Sequence, residues 1–379
     1  MERKIFKEEH IIFQDSLRKF LDREIVPDFE QWEKEGIVPR SAWKKMGDNG
    51  FLCPWLEEKY GGVGADFVYS AIICEEMFYR GITGLVAPLH SDIIVPYIHS
   101  YGSEEQKMKW LPGCASGDVL TAIAMTEPNT GSDLSAIRTT AVRDGDFYVI
   151  NGQKTFISIG LLSDLVIVAA KTDTKAGHKG VSLICVEAGT PGFKRGRKLD
   201  KMGWKSQDTA ELSFEDCRVP ITNILGTEGK GFYYLMKKLQ QERLIASLMS
   251  QSMAEAMLDM TIKYCKERTI FGKPVSTYQH NTFKIVEMAT EIQLGRTFMD
   301  SLILAHMTGE DITQKVSMAK AWIPEMANRV AYHCVQLHGG YGYMEEYPIC
   351  RFMRDARVIA IFAGTTEVMK VIIGRMMGL

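Results

Sequence analysis

The chain has 379 residues, 46% hydrophobic and 24% charged, with a net charge of −2. That length exceeds one typical domain and calls for two or three domains sharing a core. The near-neutral charge excludes an electrostatic case for nucleic acid or a charged membrane surface, and without an apolar run of about 18 residues no membrane insertion is expected.

Residues 8–25 carry helical periodicity through Phe13, Leu17, Phe20, Leu21 and Ile25. Pro27 predicts its end. A second helix is expected over 41–50, a glycine loop over 57–63, and two more helices over 65–80 and 84–101. Ser103-Glu-Glu-Gln has the pattern of a capping box and opens a helix at Glu104. The N-terminus enters this helical region through a charged, amphipathic segment with no secretory-leader pattern, so the cytoplasm is the expected location. None of the eight cysteines forms a Cys-x-x-Cys pair, so neither a zinc site nor a redox dithiol is signalled.

Near Leu120 the pattern changes to short apolar runs of strand-forming residues: 120–125, 146–150, 154–158, 165–170, 181–186 and 210–214. Arg143-Asp-Gly-Asp is a hairpin signal, and Asn151-Gly152 reads as a further turn. Short strands with Gly and Asp turns predict an antiparallel barrel or sandwich, not a parallel sheet. No Gly-x-Gly-x-x-Gly follows any strand, which argues against a Rossmann nucleotide site. From Gly229 the chain is helical again, with long runs over 231–268, 278–309, 311–337 and 365–377. The expected organisation is a helical domain over 1–118, a β-barrel domain over 119–226 and a helical bundle over 227–379. The fold class is mainly α with a central β-barrel.

Between Gln336 and Lys370 lie three further features. One is Gln-Leu-His-Gly-Gly-Tyr-Gly-Tyr-Met-Glu-Glu-Tyr-Pro, with glycines that allow close backbone approach. The second is Arg-Phe-Met-Arg-Asp-Ala-Arg. The third is Ile-Phe-Ala-Gly-Thr-Thr-Glu-Val-Met-Lys, a loop feeding a helix with Thr366 as N-cap candidate. Together these resemble the C-terminal signature of the acyl-CoA dehydrogenase family, flavoenzymes that oxidise acyl-CoA thioesters. The helical, β, helical order is similar to that family's architecture over residues 5–377.

The resemblance implies FAD as cofactor. Met125-Thr-Glu-Pro-Asn-Thr-Gly-Ser-Asp133 resembles the family loop in which residues matching Thr126 and Ser132 bond the flavin ring and pyrophosphate. Phe156-Ile-Ser158 is similar to an aromatic-x-Thr/Ser segment, with Phe156 packed on the flavin and Ser158 near its reactive nitrogen; barrel core is the alternative for Phe156. Arg268-Thr-Ile-Phe-Gly resembles the Arg-x-x-Phe-Gly segment, which places Arg268 and Phe271 at the ADP half of a neighbouring subunit's cofactor. Gln336, Gly340, Thr365 and Glu367 match further positions at the adenosine end. Sharing the cofactor implies an oligomer, a homotetramer by resemblance, and the implied partners are an acyl-CoA substrate and an electron-transfer flavoprotein.

One departure concerns the base. Many family members carry a glutamate just before the Gly-Thr pair, and this chain has Ala363 there. The long-chain and isovaleryl-type members carry the base on a Glu-Arg pair that matches Glu242-Arg243. Helical spacing supports that placement independently, because Leu235, Leu239, Glu242, Ala246 and Met249 share one otherwise apolar face. An acid on such a face is costly unless used; the alternative is a solvated Glu242 paired with Lys238. Glu242 is the expected base and Arg243, about 100° round the helix, a substrate-binding candidate. Asp92, in the apolar run Leu89–Pro96, is a second acid. It is either a structural carboxylate held by His90 or a helix cap, or a second base in a compact chamber suited to alicyclic acyl-CoA esters such as cyclohexane- or cyclohexene-carboxyl-CoA. Two rival functions are an oxygen-using acyl-CoA oxidase and a catalytically silent flavin- or CoA-binding scaffold.

Overall fold

In the computed structural model, which describes residues 3–379, the chain runs helical, β, helical. The first region holds α1 (Glu8–Glu24), α2 (Val26–Glu35), α3 (Arg40–Asp48), α4 (Phe67–Tyr79), α5 (Val95–Tyr101) and α6 (Glu104–Ser116). α1 ends at Glu24, as expected just ahead of Pro27, but Pro27 also opens a further, unexpected helix. It sits in the first turn of α2, where a missing N–H costs nothing, so the break is confined to Ile25. The capping box at α6 forms: Gln106 N donates to Ser103 Oγ at 3.3 Å and Ser103 N donates to Gln106 Oε1 at 2.9 Å.

The helix expected from Gly84 starts only at Leu89, and Leu89–Ile94 is a π-helical turn that runs into α5. Pro96 explains the widening. It has no N–H for the carbonyl four residues back (Asp92) or five back (Ser91). Both carbonyls are taken by distant side chains instead. Gln241 Nε2 donates to Asp92 O at 2.7 Å, and Trp55 Nε1 donates to Ser91 O at 3.0 Å.

The middle region is a curled seven-stranded sheet of β1 (Thr121–Ala124), β2 (Thr140–Asp144), β3 (Phe147–Ile157), β4 (Leu165–Lys171), β5 (Val181–Glu187), β6 (Phe193–Lys198) and β7 (Ala210–Pro220). Its order is β1-β4-β2-β3-β7-β6, with β5 on β4. The antiparallel expectation holds for β2–β3, β3–β7, β4–β5 and β6–β7 but fails for β1–β4, parallel over Thr121–Ala124, and for β2–β4, parallel where Thr140 meets Lys171. The chain between them is long enough for a crossover, and it contains the β2–β3 hairpin. β4 and β5 are apolar throughout because both faces are buried. Leu165, Ile167, Leu183 and Cys185 join the core shared with the helices, while Val166, Val168, Ile184 and Val186 fill the inside of the curl.

Asn151-Gly152 is not a turn. It lies inside β3, where the register with β7 shifts between Ile150 and Gly152. Gly152 has φ +153°, and a Cβ there would meet Thr139 Oγ1 at 2.4 Å, so only glycine fits this bulge. β6 is an exposed edge strand with Lys194, Arg195, Arg197 and Lys198 in its six residues; it has no apolar alternation to announce it.

The last region is built on α7 (Gly231–Glu267), with α8 (Gln279–Met307), α9 (Thr313–His338), α10 (Pro348–Arg357) and α11 (Thr366–Met376). The N-cap of α11 is Thr365, not Thr366: Val368 N donates to Thr365 Oγ1 at 3.3 Å. On α10, the buried Asp355 joins the three regions. Its carboxylate accepts from Thr83 Oγ1 at 2.9 Å and from Trp204 N at 2.7 Å. No helix among the described residues is long and apolar enough to cross a membrane.

Candidate active site

The middle of α7 is enclosed by α4, α8 and α9, so residues 242–254 are buried all round the helix. Glu242 is among them, at 4% exposure. Tyr97 Oη donates to its Oε1 at 2.6 Å. The other oxygen, Oε2, has no hydrogen-bond partner among the described residues and is not sealed off. Burial pushes the carboxyl up to about 7, against the opposing pull of the Tyr97 hydroxyl and the charges of Arg243 and Lys238. The expected alternative, a Lys238–Glu242 pair, does not form. Lys238 Nζ donates to Ser100 Oγ at 2.6 Å.

Arg243 is also buried, and burial draws its guanidinium down despite the neighbouring Glu242. It gives one hydrogen bond, from Nη1 to Ser317 Oγ at 3.2 Å, and its Nε has no partner. A buried guanidinium with donors to spare is able to receive an anion or carbonyl.

Asp92 is 2% exposed, and burial pushes its carboxyl up to about 7. Neither Asp92 Oδ1 nor Ser70 Oγ has a hydrogen-bond partner. His90 does not hold it: its ring contacts Cys114 O at 3.0 Å and Thr121 Oγ1 at 2.8 Å. The backbone of Asp92 is tied to α7 by Gln241, next to Glu242. Ala363 has φ +53° and Gly364 φ +93°, two consecutive left-handed residues, and Lys320 Nζ donates to Gly364 O at 3.1 Å. Ala363 brings no carboxylate to that turn; the half-buried Glu325 of α9 is engaged there by Thr366 Oγ1 at 2.8 Å, and Glu242 is the fully buried acid of the neighbouring α7.

The loop after β1 and the end of β3 are fastened together. Lys154 Nζ donates to Met125 O at 3.0 Å and Glu127 Oε1 at 2.9 Å, and Thr155 N donates to Thr126 O at 3.0 Å. Glu127 also accepts from Arg138 N at 2.6 Å and Thr139 N at 2.9 Å. Burial raises the Glu127 carboxyl, but Lys154 and these donors outweigh it and hold the group below the usual range. The result fastens Thr126 to the end of β3, against Thr155, on the strand that carries Phe156 and leads to the half-buried Ser158. Phe156 is not barrel core. It is 67% exposed with φ +59°, an aromatic ring held out of the sheet in a conformation that costs about 1 kcal/mol or more. Ser132 is exposed farther along the same loop.

A separate cavity of about 1030 Å³ brings together Arg268, Gln336, Gly339 and Gly340. Phe271, 93% exposed with φ +47°, is outside its lining, as are Thr365 and Glu367 at the start of α11. Thr126, Phe156 and Ser158 do not line it either. The two halves of the expected cofactor set are therefore in different parts of one chain. An exposed aromatic beside hydroxyl donors suits a flat heteroaromatic ring, and an arginine beside backbone glycines suits a pyrophosphate. Sequence reading missed Tyr97, Gln241, Lys154 and Lys320. Lys320 is a polar group inside an apolar run, while Tyr97, Gln241 and Lys154 carry no local signal; the partners that give all of them meaning are remote in the chain.

Comparison with known proteins shows what the whole chain is similar to. Models of the acyl-CoA dehydrogenase N-terminal, middle and C-terminal domains match residues 7–118, 122–217 and 229–378. The long-chain specific acyl-CoA dehydrogenase of Sus scrofa mitochondria is 49% identical over 98% of this chain and 87% of its own length. The solved acyl-CoA dehydrogenase from Geobacillus kaustophilus is 58% identical, with a TM-score of 0.98 and complete coverage of both chains. A chain solved in work on the electron transferring flavoprotein of Acidaminococcus fermentans is 36% identical, with a TM-score of 0.94 over 100% of this chain and 99% of that one.

Proposed function

The chain belongs to the acyl-CoA dehydrogenase family, and from that premise we propose that it oxidises straight- or branched-chain acyl-CoA thioesters to 2-enoyl-CoA with Glu242 as base. The observation that carries this reading is the buried Glu242 carboxyl, held by one oxygen and raised to about 7. A base that removes a weakly acidic proton α to a thioester works best with such a value near neutrality. Glu242 takes the α-proton while the β-hydride leaves, so the substrate loses two electrons and two hydrogens. Family members depend on FAD, which when bound supplies the hydride acceptor. Thr126, Ser132, Phe156 and Ser158 would hold its flavin half. Arg268, Phe271, Gln336, Gly340, Thr365 and Glu367 would hold the adenosine half, with Arg268 and Phe271 serving a neighbouring subunit. Arg243 is assigned to substrate binding by its spare donors, and an electron-transfer flavoprotein is the electron acceptor.

Mixing the FAD-loaded protein anaerobically with butyryl-, isovaleryl-, palmitoyl- and cyclohexanecarboxyl-CoA is expected to bleach the flavin with at least one straight or branched ester. Bleaching by none of them would overturn the reading. The unpartnered Asp92 Oδ1 favours a second reading, a compact alicyclic substrate with Asp92 as second base. In that case Asp92→Asn lowers turnover of cyclohexanecarboxyl-CoA far more than that of butyryl-CoA, and equal losses on both remove it. The shared cofactor set also predicts a homotetramer in solution that retains one FAD per chain, and Arg268→Ala is expected to weaken FAD retention. A monomer retaining FAD as tightly would contradict the sharing.

A further inference from the structure

We propose that Tyr97 is a positioning residue for this reaction: its hydroxyl fixes Oε1 of Glu242, so that Oε2 is the oxygen that takes the proton. The proposal rests on Glu242 being the base. Tyr97 is fully buried, and its hydroxyl reaches across from α5 to α7 at 2.6 Å, a partner 145 residues away in sequence. Among the described residues it is the one hydrogen-bond donor to Glu242. The nearby cations both bond elsewhere, Lys238 to Ser100 and Arg243 to Ser317. A carboxylate with one oxygen tied cannot spin about its terminal torsion, so the free oxygen has one direction to face.

Tyr97 is itself held from several sides. Pro96 fixes the backbone before it, and the wide turn ahead of α5 is pinned to α7 through Gln241. Its ring leans on Tyr101 at 6.3 Å, and Tyr101 stacks on Tyr234 of α7 at 3.9 Å. The charged and titratable groups around Glu242 are Lys238 and Arg243 on its own helix and Tyr97 on α5. Behind these stand Tyr101 beside Tyr97, His306 beside Lys238 and Lys320 beside Arg243, with Asp92 across Gln241. Of these groups, Tyr97 alone touches the carboxylate. A donor of this kind stabilises the ionised base, so the phenol also sets the pH at which Glu242 becomes competent.

The test is the pH profile of substrate-driven flavin reduction for the FAD-loaded wild type, Tyr97→Phe, Glu242→Gln and Tyr79→Phe. Phenylalanine keeps the ring and removes the donor. In Tyr97→Phe the acidic limb should move up by about one pH unit, and the plateau at high pH should fall, with KM little changed. Tyr79→Phe removes a hydroxyl bonded to Asp259 at 2.7 Å on the surface, and should leave the limb in place. If Glu242→Gln is inactive and the Tyr97→Phe limb does not move, Tyr97 has no positioning role and the base assignment stands. If Glu242→Gln reduces flavin normally, the base lies elsewhere and the proposal falls with it. A Tyr79→Phe limb that moves as far as that of Tyr97→Phe marks a general loss of packing and also overturns it.

Discussion

Replacing Glu242 by glutamine is expected to slow substrate-driven flavin reduction by about 10³-fold, while FAD and acyl-CoA stay bound. Glutamine has the same shape, and its amide oxygen can still accept from Tyr97 at the Oε1 position, so the packing of α7 has no reason to change. What disappears is the lone pair that receives the proton. The wild type adds a second mark. Its base must be ionised to act, and its carboxyl is raised to about 7 by burial, so flavin reduction should climb as pH rises through neutrality. Stopped-flow reduction at several pH values reads both. A glutamine variant with near-normal rates, or a wild-type profile flat from pH 6 to 8, would remove Glu242 from the role.

The second large effect concerns stability and cofactor together. Lys154→Met is expected to destabilise the middle region by about 3–5 kcal/mol and to loosen FAD. Lys154 is 1% exposed and pairs with Glu127, a carboxylate that is itself buried. Removing the cation leaves that carboxylate without its counter-charge, and it also frees Met125 O, to which Lys154 is bonded. The loop carrying Thr126 then keeps only the backbone bond from Thr155 N to Thr126 O as its tie to the strand carrying Phe156. The double change Lys154→Met with Glu127→Gln should recover part of the stability, because no lone charge remains buried. Thermal unfolding and FAD retention on gel filtration measure the two effects. A single variant that melts and holds FAD like the wild type would mean that the loop is placed without the pair.

Local signals carried much of this molecule. The capping box at Ser103, the long periodic run of α7 and the all-apolar runs of β4 and β5 are short-range patterns, and each folds as its spacing predicts. Glu242 was legible for the same reason, an acid on an apolar helical face. The misreadings involve residues with two meanings. Pro27 reads only as an end and also starts the next helix, and Asn151-Gly152 makes a turn or a bulge. The choice is made by what packs alongside, here β7 and Thr139 in the case of Gly152. Phe156 shows the converse: nothing in an alternating strand tells that its backbone turns left-handed and carries the ring outward. Tyr97 had no local signal at all, because its partner belongs to another helix in another region.

The wide turn at Leu89–Ile94 separates two kinds of sequence change. Each residue of a helix advances the chain by about 100°, so the turn sets the angular phase of everything after it. A substitution within 89–94 alters a side chain and leaves that phase alone. A deletion of one residue there would swing the Tyr97 hydroxyl off Glu242 while every residue of the site was still present. What this segment encodes is its length, and a comparison of related chains scored by identity alone would pass over it; the place to look is where the gaps fall.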